Sequence, residues 1–225
     1  DVHREADVVE EILRIYGYNN VEVTEHVSST LSWTEKPDRE KLINIVSNLL
    51  SDNGFAEIMC NSLNPAAWYE KNDDFDSSQL VKLANPLSSD LNAMRQSLLF
   101  GGLSSITWNI NRQNTDLKFY EFGNCYFYRN PGQKAANADN YIEKTSLDLF
   151  ISGHTLKQSW NSNSKPTDFF NIKSALEMIL SRMGFVPEDM VLGESSKGYY
   201  SESLTYTVNN KLIAETGRIS RSYLN

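Results

Sequence analysis

The sequence is poor in the residues that signal cross-linking, metal binding or membrane insertion. It contains only two cysteines and three histidines among 225 residues, and their spacing offers neither a disulfide framework nor a zinc-ligand pattern. We expect Cys60 and Cys125 to be reduced residues that serve packing. No apolar run reaches about 18 residues, and no apolar stretch follows a basic N-terminus, which argues against a membrane span or a signal peptide. These absences favour a cytoplasmic protein with no membrane partner.

Clustered positive charge is also missing. The formal net charge is −8, and lysine and arginine do not gather into a stripe that would neutralise phosphates. An independent nucleic-acid-binding domain is therefore disfavoured. The 40% of hydrophobic and 22% of charged residues are typical of a globular domain with a real core.

The hydrophobic pattern alternates between helical and strand periods. Helices are predicted over residues 37–53, 97–112 and 168–182, and strands over residues 55–63, 80–83, 117–122, 125–128 and 147–152. Asn209-Asn210 is a two-residue turn signal between two further strands. Short antiparallel groups of strands with helices between them predict an α+β fold.

Two polar segments divide the chain. Residues 23–36 follow the end of a first helix at Gly17 and are typical of a linker, so residues 1–22 are interpreted as the tail of a preceding domain and residues 37–225 as the main domain. The second polar segment, residues 130–144, is predicted to be a mobile excursion between strands.

Acidic residues share one face of the first helix. Asp7, Glu10 and Glu11 are spaced i, i+3, i+4, and Asp1 lies one step before them. Such a face is either solvated, with its early acids favoured by the helix dipole, or it holds a hard divalent cation such as Mg²⁺.

Four segments carry a family resemblance. NPLSSDLNAMRQSLLFGGLSSITWNINRQ at residues 85–113 and FYEFGNCYF at 119–127 resemble, in order and spacing, the beta subunit of bacterial phenylalanyl-tRNA synthetase. Residues 1–18 resemble the closing helix of the small domain that precedes the catalytic-like module in that family, and residues 168–180 resemble another family segment. The resemblance implies a class II synthetase fold, an antiparallel β-sheet flanked by helices.

The resemblance also implies a module that does not catalyse. Catalytic relatives carry a Gly-Arg-hydrophobic-Tyr-Arg pattern where this chain has residues 123–127, so Asn124 and Phe127 stand where arginines would grip ATP phosphates. Residues 199–203 replace a His-Pro-Gly-like stretch of the family. We therefore expect no catalytic residue here, and the lost arginines argue against the alternative, a self-contained ATP-using ligase.

Partners and sites follow from the same resemblance. It implies a catalytic alpha subunit that binds ATP, an assembly of two alpha and two beta chains, and tRNA contacts made through the full-length protein. It implies Mg²⁺ shared with the alpha subunit at the acidic face (Asp1, Asp7, Glu10 and Glu11). The helix at 37–53 stands where the class places its subunit interface, so Ile45 and Leu49 are candidate interface residues.

Two residues inside the matching segments have open interpretations. Arg95 is either a surface residue, or a helix-start partner of Asp90, or part of a site. Glu121, within an aromatic run, would be costly if buried alone, so it is interpreted as an inward acid paired with an arginine.

Overall fold

Two compact units, Asp1–Pro37 and Asp38–Asn225, make up the chain. The computed structural model describes residues 4–22, 37–130, 138–156 and 159–224. In the first unit, helix α1 (Glu5–Tyr16) buries none of its residues and ends at Gly17, whose φ of 92° is readily adopted by glycine. The linker predicted at 23–36 lies outside the described residues. Within the described ranges, no helix is long and apolar enough to span a membrane.

The second unit mixes helices and short strands, with two twelve-residue strands at its centre. Its helices are α2 (Arg39–Asp52), α3 (Ala67–Glu70), α4 (Leu99–Ile110) and α5 (Phe169–Arg182). Its strands are β1 (Ala56–Glu57), β2 (Leu63–Asn64), β3 (Ala93–Met94), β4 (Leu117–Tyr128), β5 (Tyr141–Ser152), β6 (His154–Leu156), β7 (Lys165–Pro166), β8 (Val191–Gly193), β9 (Tyr200–Val208) and β10 (Lys211–Ile219).

The strands form two three-stranded sheets, ordered β1-β4-β5 and β10-β9-β8, and two short ladders, β2-β3 and β6-β7. Pairing is antiparallel except between β1 and β4, which are parallel. An entirely antiparallel sheet was the expectation. The parallel pair arises because the long segment between β1 and β4, which includes α3 and α4, returns the chain to the same end of the sheet.

Several strand boundaries differ from the sequence prediction. The strand predicted at 55–63 is two separate pieces, β1 and β2, and the one predicted at 80–83 is only a bridge between Lys82 and Ala93. The loop predicted at 130–144 is wrong for residues 141–144, because β5 begins at Tyr141 and pairs with β4. Those residues are mostly exposed, so backbone pairing rather than burial makes them a strand.

The main core lies between one face of the β4–β5 ladder and helices α2 and α5. Leu50 and Tyr120 are almost completely buried there, and Ala175 and Ile179 contribute from α5. Asp38 caps the N-terminus of helix α2, and its carboxylate accepts hydrogen bonds from the backbone N–H groups of Glu40 and Lys41. Local capping and an apolar arc therefore place α2 as the sequence predicts.

The C-terminal hairpin joins β9 to β10. Asn209 and Asn210 have φ values of 49° and 60°, the left-handed conformation that a two-residue type I′ turn requires. The pairing of Lys211 with Val208 closes the turn. The predicted hairpin is confirmed.

Helix α4 lies unusually close to β5. A Cβ atom built on Gly102 would stand 2.1 Å from Cζ of the Phe150 ring, and Phe150 is itself buried. The absence of a side chain at position 102 therefore sets the distance between the helix and the sheet.

We expect Gly102→Ala to destabilise the domain by about 1–3 kcal/mol, because the added methyl overpacks the contact with Phe150. This reverses the gain of about 1 kcal/mol that alanine gives over glycine in an ordinary helix interior. Chemical denaturation measures the change. Ser104→Ala, at an exposed position of the same helix, is the control and should be neutral or slightly stabilising. Equal stability of the Gly102→Ala variant and the wild type would contradict the close approach.

Candidate functional site

The two faces of the β4–β5 ladder differ in chemistry. In this register Phe119 opposes Phe150, and Glu121 opposes Asp148, so these side chains share one face, here named the Glu121 face. It comprises the odd-numbered residues of β4 from 119 to 127 and the even-numbered residues of β5 from 142 to 150. The other face packs on α2 and α5. The charged residues of the candidate site therefore lie on the side away from the helical core.

A buried ion pair occupies the Glu121 face. The Arg95 guanidinium donates through Nη1 to Glu121 Oε1 at 2.7 Å, and the two residues are only 5% and 1% exposed. Arg95 also donates through Nε to the Asn124 carbonyl at 2.9 Å and through Nη1 to the Cys60 carbonyl at 3.2 Å. The Cys60 backbone N–H donates to the same Glu121 oxygen at 3.2 Å. The interpretation of Glu121 as an inward acid paired with an arginine is confirmed, and Arg95 is not a surface residue.

The glycine of the FYEFGNCYF motif makes room for this pair. A Cβ atom on Gly123 would lie 2.3 Å from Arg95 Nη2 and 2.7 Å from a methyl group of Leu98. Only a residue without a side chain lets the guanidinium cross β4 at this point. The glycine of this motif therefore provides the space in which the Arg95 side chain packs against β4.

Strand alternation separates Asn124 from Phe127, the two positions where arginines were expected in a catalytic relative. Asn124 points to the helix-packed face, where its side chain bonds Glu143 and accepts from Thr145 Oγ1 at 2.9 Å. Phe127 is on the Glu121 face, where Lys144 Nζ lies 5.4 Å from its ring centroid. Of these two positions, only 127 faces the side where Glu121 lies, and it carries a phenyl ring instead of a cation.

Aromatic rings pack at the Phe119–Phe150 end of the Glu121 face. Tyr199 lies 4.6 Å from Tyr200 and 6.1 Å from Phe75 between ring centroids, and Tyr223 meets Tyr199 edge-on at 6.2 Å. These rings pack with Leu99, Phe119 and Phe150 in one cluster, which we name the aromatic plug. Tyr199 belongs to residues 199–203, which from the sequence are expected to differ from the family pattern. The divergent stretch therefore has a packing role.

Polar contacts hold the plug in place. The Tyr199 hydroxyl donates to Glu215 Oε1 at 3.1 Å, and Ser195 Oγ donates to Glu215 Oε2 at 2.9 Å. Asp74 accepts from the backbone N–H groups of Gly198 at 2.7 Å and Tyr199 at 3.0 Å. Sequence reasoning missed Asp74, because its partners are more than 120 residues away and no local pattern marks it.

The ionisable groups of this face are strongly desolvated. Burial, and after it the neighbouring charge of Glu121, raise the pKa of Asp148 to about 6, while Arg95 opposes the shift. Burial also raises the pKa of Tyr199 and of Tyr200, so both phenols stay neutral. Cys60 and Cys125 are free thiols, as expected, and burial raises the pKa of Cys125 to about 11. Neither thiol is poised as a nucleophile at neutral pH.

Two surface cavities lie elsewhere on the second unit. One is lined by Lys118, Thr155, Thr167 and Asn171 among others, and the other by Met59, Ser105 and Trp108. Arg95, Glu121, Asp148 and Tyr199 line neither of them.

The acidic face of α1 lies in the first unit. Asp7 Oδ2 accepts a hydrogen bond from the Arg4 backbone N–H at 3.0 Å, and Glu11 pairs with Arg14 at 3.2 Å. Glu10 is exposed, and Asp1 lies outside the described residues. Across the described ranges, no three His, Cys, Asp or Glu side chains are grouped so that they could hold a metal ion. The magnesium site stays a prediction.

The two candidate interface residues on α2 have different surroundings. Leu49 packs against the main core cluster, whereas Ile45 is half-buried one position before the buried Val46. The interface role of both stays a prediction.

Solved structures with a similar fold come from the aminoacyl-tRNA synthetases. Two structures of pyrrolysyl-tRNA synthetase from Desulfitobacterium hafniense match with TM-scores of 0.54 and 0.55 and 16% sequence identity, over 80% of this chain and 58% of theirs. Similarity at this level of identity shows a shared fold and nothing about the reaction.

Sequence relatives are closer. Phenylalanine–tRNA ligase beta subunits from Bacteroides thetaiotaomicron and Bacteroides fragilis are 41% and 43% identical over 100% of this chain, and that of Porphyromonas gingivalis is 36% identical over 98%. The chain spans 28% of the length of the two Bacteroides proteins. The family model described as the phenylalanyl tRNA synthetase beta chain CLM domain matches residues 7–225. With that match over nearly its whole length, the chain belongs to the family of phenylalanyl-tRNA synthetase beta chain CLM domains.

Proposed function

We propose that this chain is a non-catalytic structural module of a phenylalanyl-tRNA synthetase beta subunit. It pairs with a catalytic alpha subunit and so supports the ATP-dependent attachment of phenylalanine to tRNA(Phe) during protein synthesis in the cytoplasm. Its fold is that of a class II synthetase catalytic domain, and the assembly contains two alpha and two beta chains. ATP is bound by the alpha subunit, and tRNA is contacted by other parts of the full-length beta subunit.

The observation that carries this proposal is the filling of the Glu121 face. A synthetase active site needs an open cleft with cations for the ATP phosphates. Here the Arg95 guanidinium is committed to Glu121 and two backbone carbonyls, and the aromatic plug covers the neighbouring surface. The fold is kept while the space for a substrate is occupied by the chain itself.

The charge balance of this face disfavours the alternative, a self-contained ATP-using ligase. The charges of Glu121 and Glu215 both act on the Asp148 carboxyl group there, and Arg95 opposes them. A polyphosphate would be repelled by such a surface. Phe127 adds no charge where a catalytic relative has arginine.

We expect the chain alone to form no aminoacyl-adenylate, because each missing charge donor removes about 3–4 kcal/mol of transition-state stabilisation. Phenylalanine-dependent pyrophosphate exchange is the assay, with the alpha–beta complex as positive control. Exchange activity that follows the chain through two unrelated affinity tags, and so is not a contaminating host synthetase, would overturn the proposal.

Helix α2 is the proposed contact with the alpha subunit. Val46 and Leu50 face the protein's own core and are buried. Ile45 lies next to these buried residues on the helix and is half-buried. The apolar surface of α2 is therefore wider than the part that the β4–β5 ladder covers. Leu49 contributes to both the core and the edge of this surface.

We expect Ile45→Asp to weaken association with the alpha subunit while leaving the domain folded. Leu49→Asp should destabilise the fold itself, because that side chain packs on the core. Circular dichroism separates the two effects, and size-exclusion chromatography after co-expression reports assembly. Asn44→Asp places the same charge on the exposed face next to Ile45 and is the matched control, expected to assemble normally. Normal assembly of a folded Ile45→Asp variant would exclude the helix from the interface.

Magnesium at the acidic face of α1 completes the proposal. Mg²⁺ usually keeps several waters and takes one or two carboxylates directly. Glu10 and Glu11 are exposed and would hold the ion, Glu11 by exchanging its surface pair with Arg14, whereas Asp7 accepts the Arg4 N–H and would act through water. These carboxylates would hold a Mg²⁺ that is shared with the alpha subunit.

We expect the double variant Glu10→Gln/Glu11→Gln to weaken the alpha–beta assembly and to remove its dependence on magnesium, since amides are poorer ligands for a hard cation than carboxylates. Sizing of both complexes with and without a chelator is the measurement. Glu5→Gln, in the first turn of the same helix, is the control. A solvated acidic face would instead give identical assembly in all four conditions.

A further inference from the structure

Two acidic residues occupy directly opposed positions on the central ladder of the domain. Glu121 on β4 is paired directly with Asp148 on β5, and both lie on the Glu121 face. Side chains directly opposed in an antiparallel pair have Cβ atoms about 4.5–5.5 Å apart, and like charges at that spacing repel. Neither residue is exposed enough for water to screen this repulsion fully.

Glu121 has one satisfied oxygen and one that is not. Its Oε1 accepts from Arg95 Nη1 and from the Cys60 N–H. Its Oε2 is buried and finds no hydrogen-bond donor among the described residues. A buried carboxylate oxygen without a donor is unusual, because buried polar atoms nearly always have a partner.

We propose that Asp148 holds a proton in the folded domain at mildly acidic pH and donates it in a hydrogen bond to Glu121 Oε2. The pair then carries one negative charge, which the Arg95 guanidinium offsets. Ionisation of Asp148 leaves two negative charges against one cation and removes the donor. The stability that the Glu121–Asp148 pair gives to the sheet thus depends on pH. This pH dependence does not rest on the proposed function.

The surroundings of the pair leave Asp148 as the group that titrates near neutrality. Arg95 acts on it from the segment after β3, and Cys125 and Lys144 lie further along the same face. Cys60, in the segment after β1, contacts Arg95 and Glu121. Tyr199, Tyr200 and Glu215 face it from the C-terminal hairpin and the residue that precedes it. The thiols and phenols are neutral at pH 7, and Glu215 accepts hydrogen bonds from Ser195 and Tyr199.

The direction of the pH effect follows from the raised pKa of Asp148. Its value of about 6 lies above the value of 3.8 for an unperturbed aspartate. A group whose pKa is raised by folding contributes stability that is complete below the unfolded pKa and is lost as the pH rises through the folded pKa. The contribution of the Glu121–Asp148 pair to the free energy of unfolding is therefore present near pH 4 and is lost between about pH 4 and pH 6.

The test compares the pH dependence of stability of the wild-type chain and Asp148→Asn, whose amide is neutral at every pH and can donate to Glu121 Oε2. We expect Asp148→Asn to gain on the wild type as the pH rises from 4 to 7.5, by up to about 100-fold in the folding equilibrium constant, as follows from a pKa shift of about two units. Asp139→Asn, at an exposed position just before β5, should follow the wild-type profile throughout.

A second measurement keeps the proposal testable should the variant fold poorly. The ¹³C resonance of the Asp148 carboxyl group in the wild-type chain should titrate with a midpoint near pH 6. Parallel stability profiles of Asp148→Asn and the wild type, or a midpoint near pH 4, would overturn the shared proton.

Discussion

The ion pair between Arg95 and Glu121 is the constraint around which the Glu121 face is arranged. Charges this deeply buried are costly unless each is paired and hydrogen-bonded. The guanidinium meets that requirement by joining β4 to the Cys60 segment, and the Arg95 backbone adds hydrogen bonds to Ser62 and Tyr126. Removal of either partner would leave an unpaired charge in the interior. A single substitution therefore cannot open this face to a ligand without destabilising the domain.

Local signals were enough to predict the helices and the C-terminal hairpin. Asp38 and Asp168 cap α2 and α5 as their positions before apolar-periodic segments suggest. Asn209-Asn210 specifies its turn through the left-handed conformation that asparagine tolerates. The pairing of Glu121 with an arginine could also be predicted, because a carboxylate among the aromatic residues of a strand needs a buried cation.

Features that depend on distant contacts were beyond prediction from one sequence. The parallel alignment of β1 with β4 depends on the path of the intervening 59 residues, between Glu57 and Leu117, and short apolar runs carry no information on direction. The aromatic plug and its anchor Asp74 unite residues from both ends of the second unit. The separation of Asn124 from Phe127 was missed although the sequence contains a local signal for it. The two residues are three positions apart, so the alternation of side chains along a strand places them on opposite faces.

The anchoring of Gly198 and Tyr199 by Asp74 sets an order of events during synthesis. The chain grows from its N-terminus, and closure of a loop of 124 residues carries an entropic cost that local pairing does not. The β4–β5 ladder can form as soon as Ser152 has left the ribosome. At that stage Phe75, Leu99 and Phe150 are not yet packed against Tyr199, Tyr200 and Tyr223. During that interval the nascent domain exposes apolar side chains that the β9–β10 hairpin and the residue before it later cover, and exposed apolar surface of this kind favours aggregation.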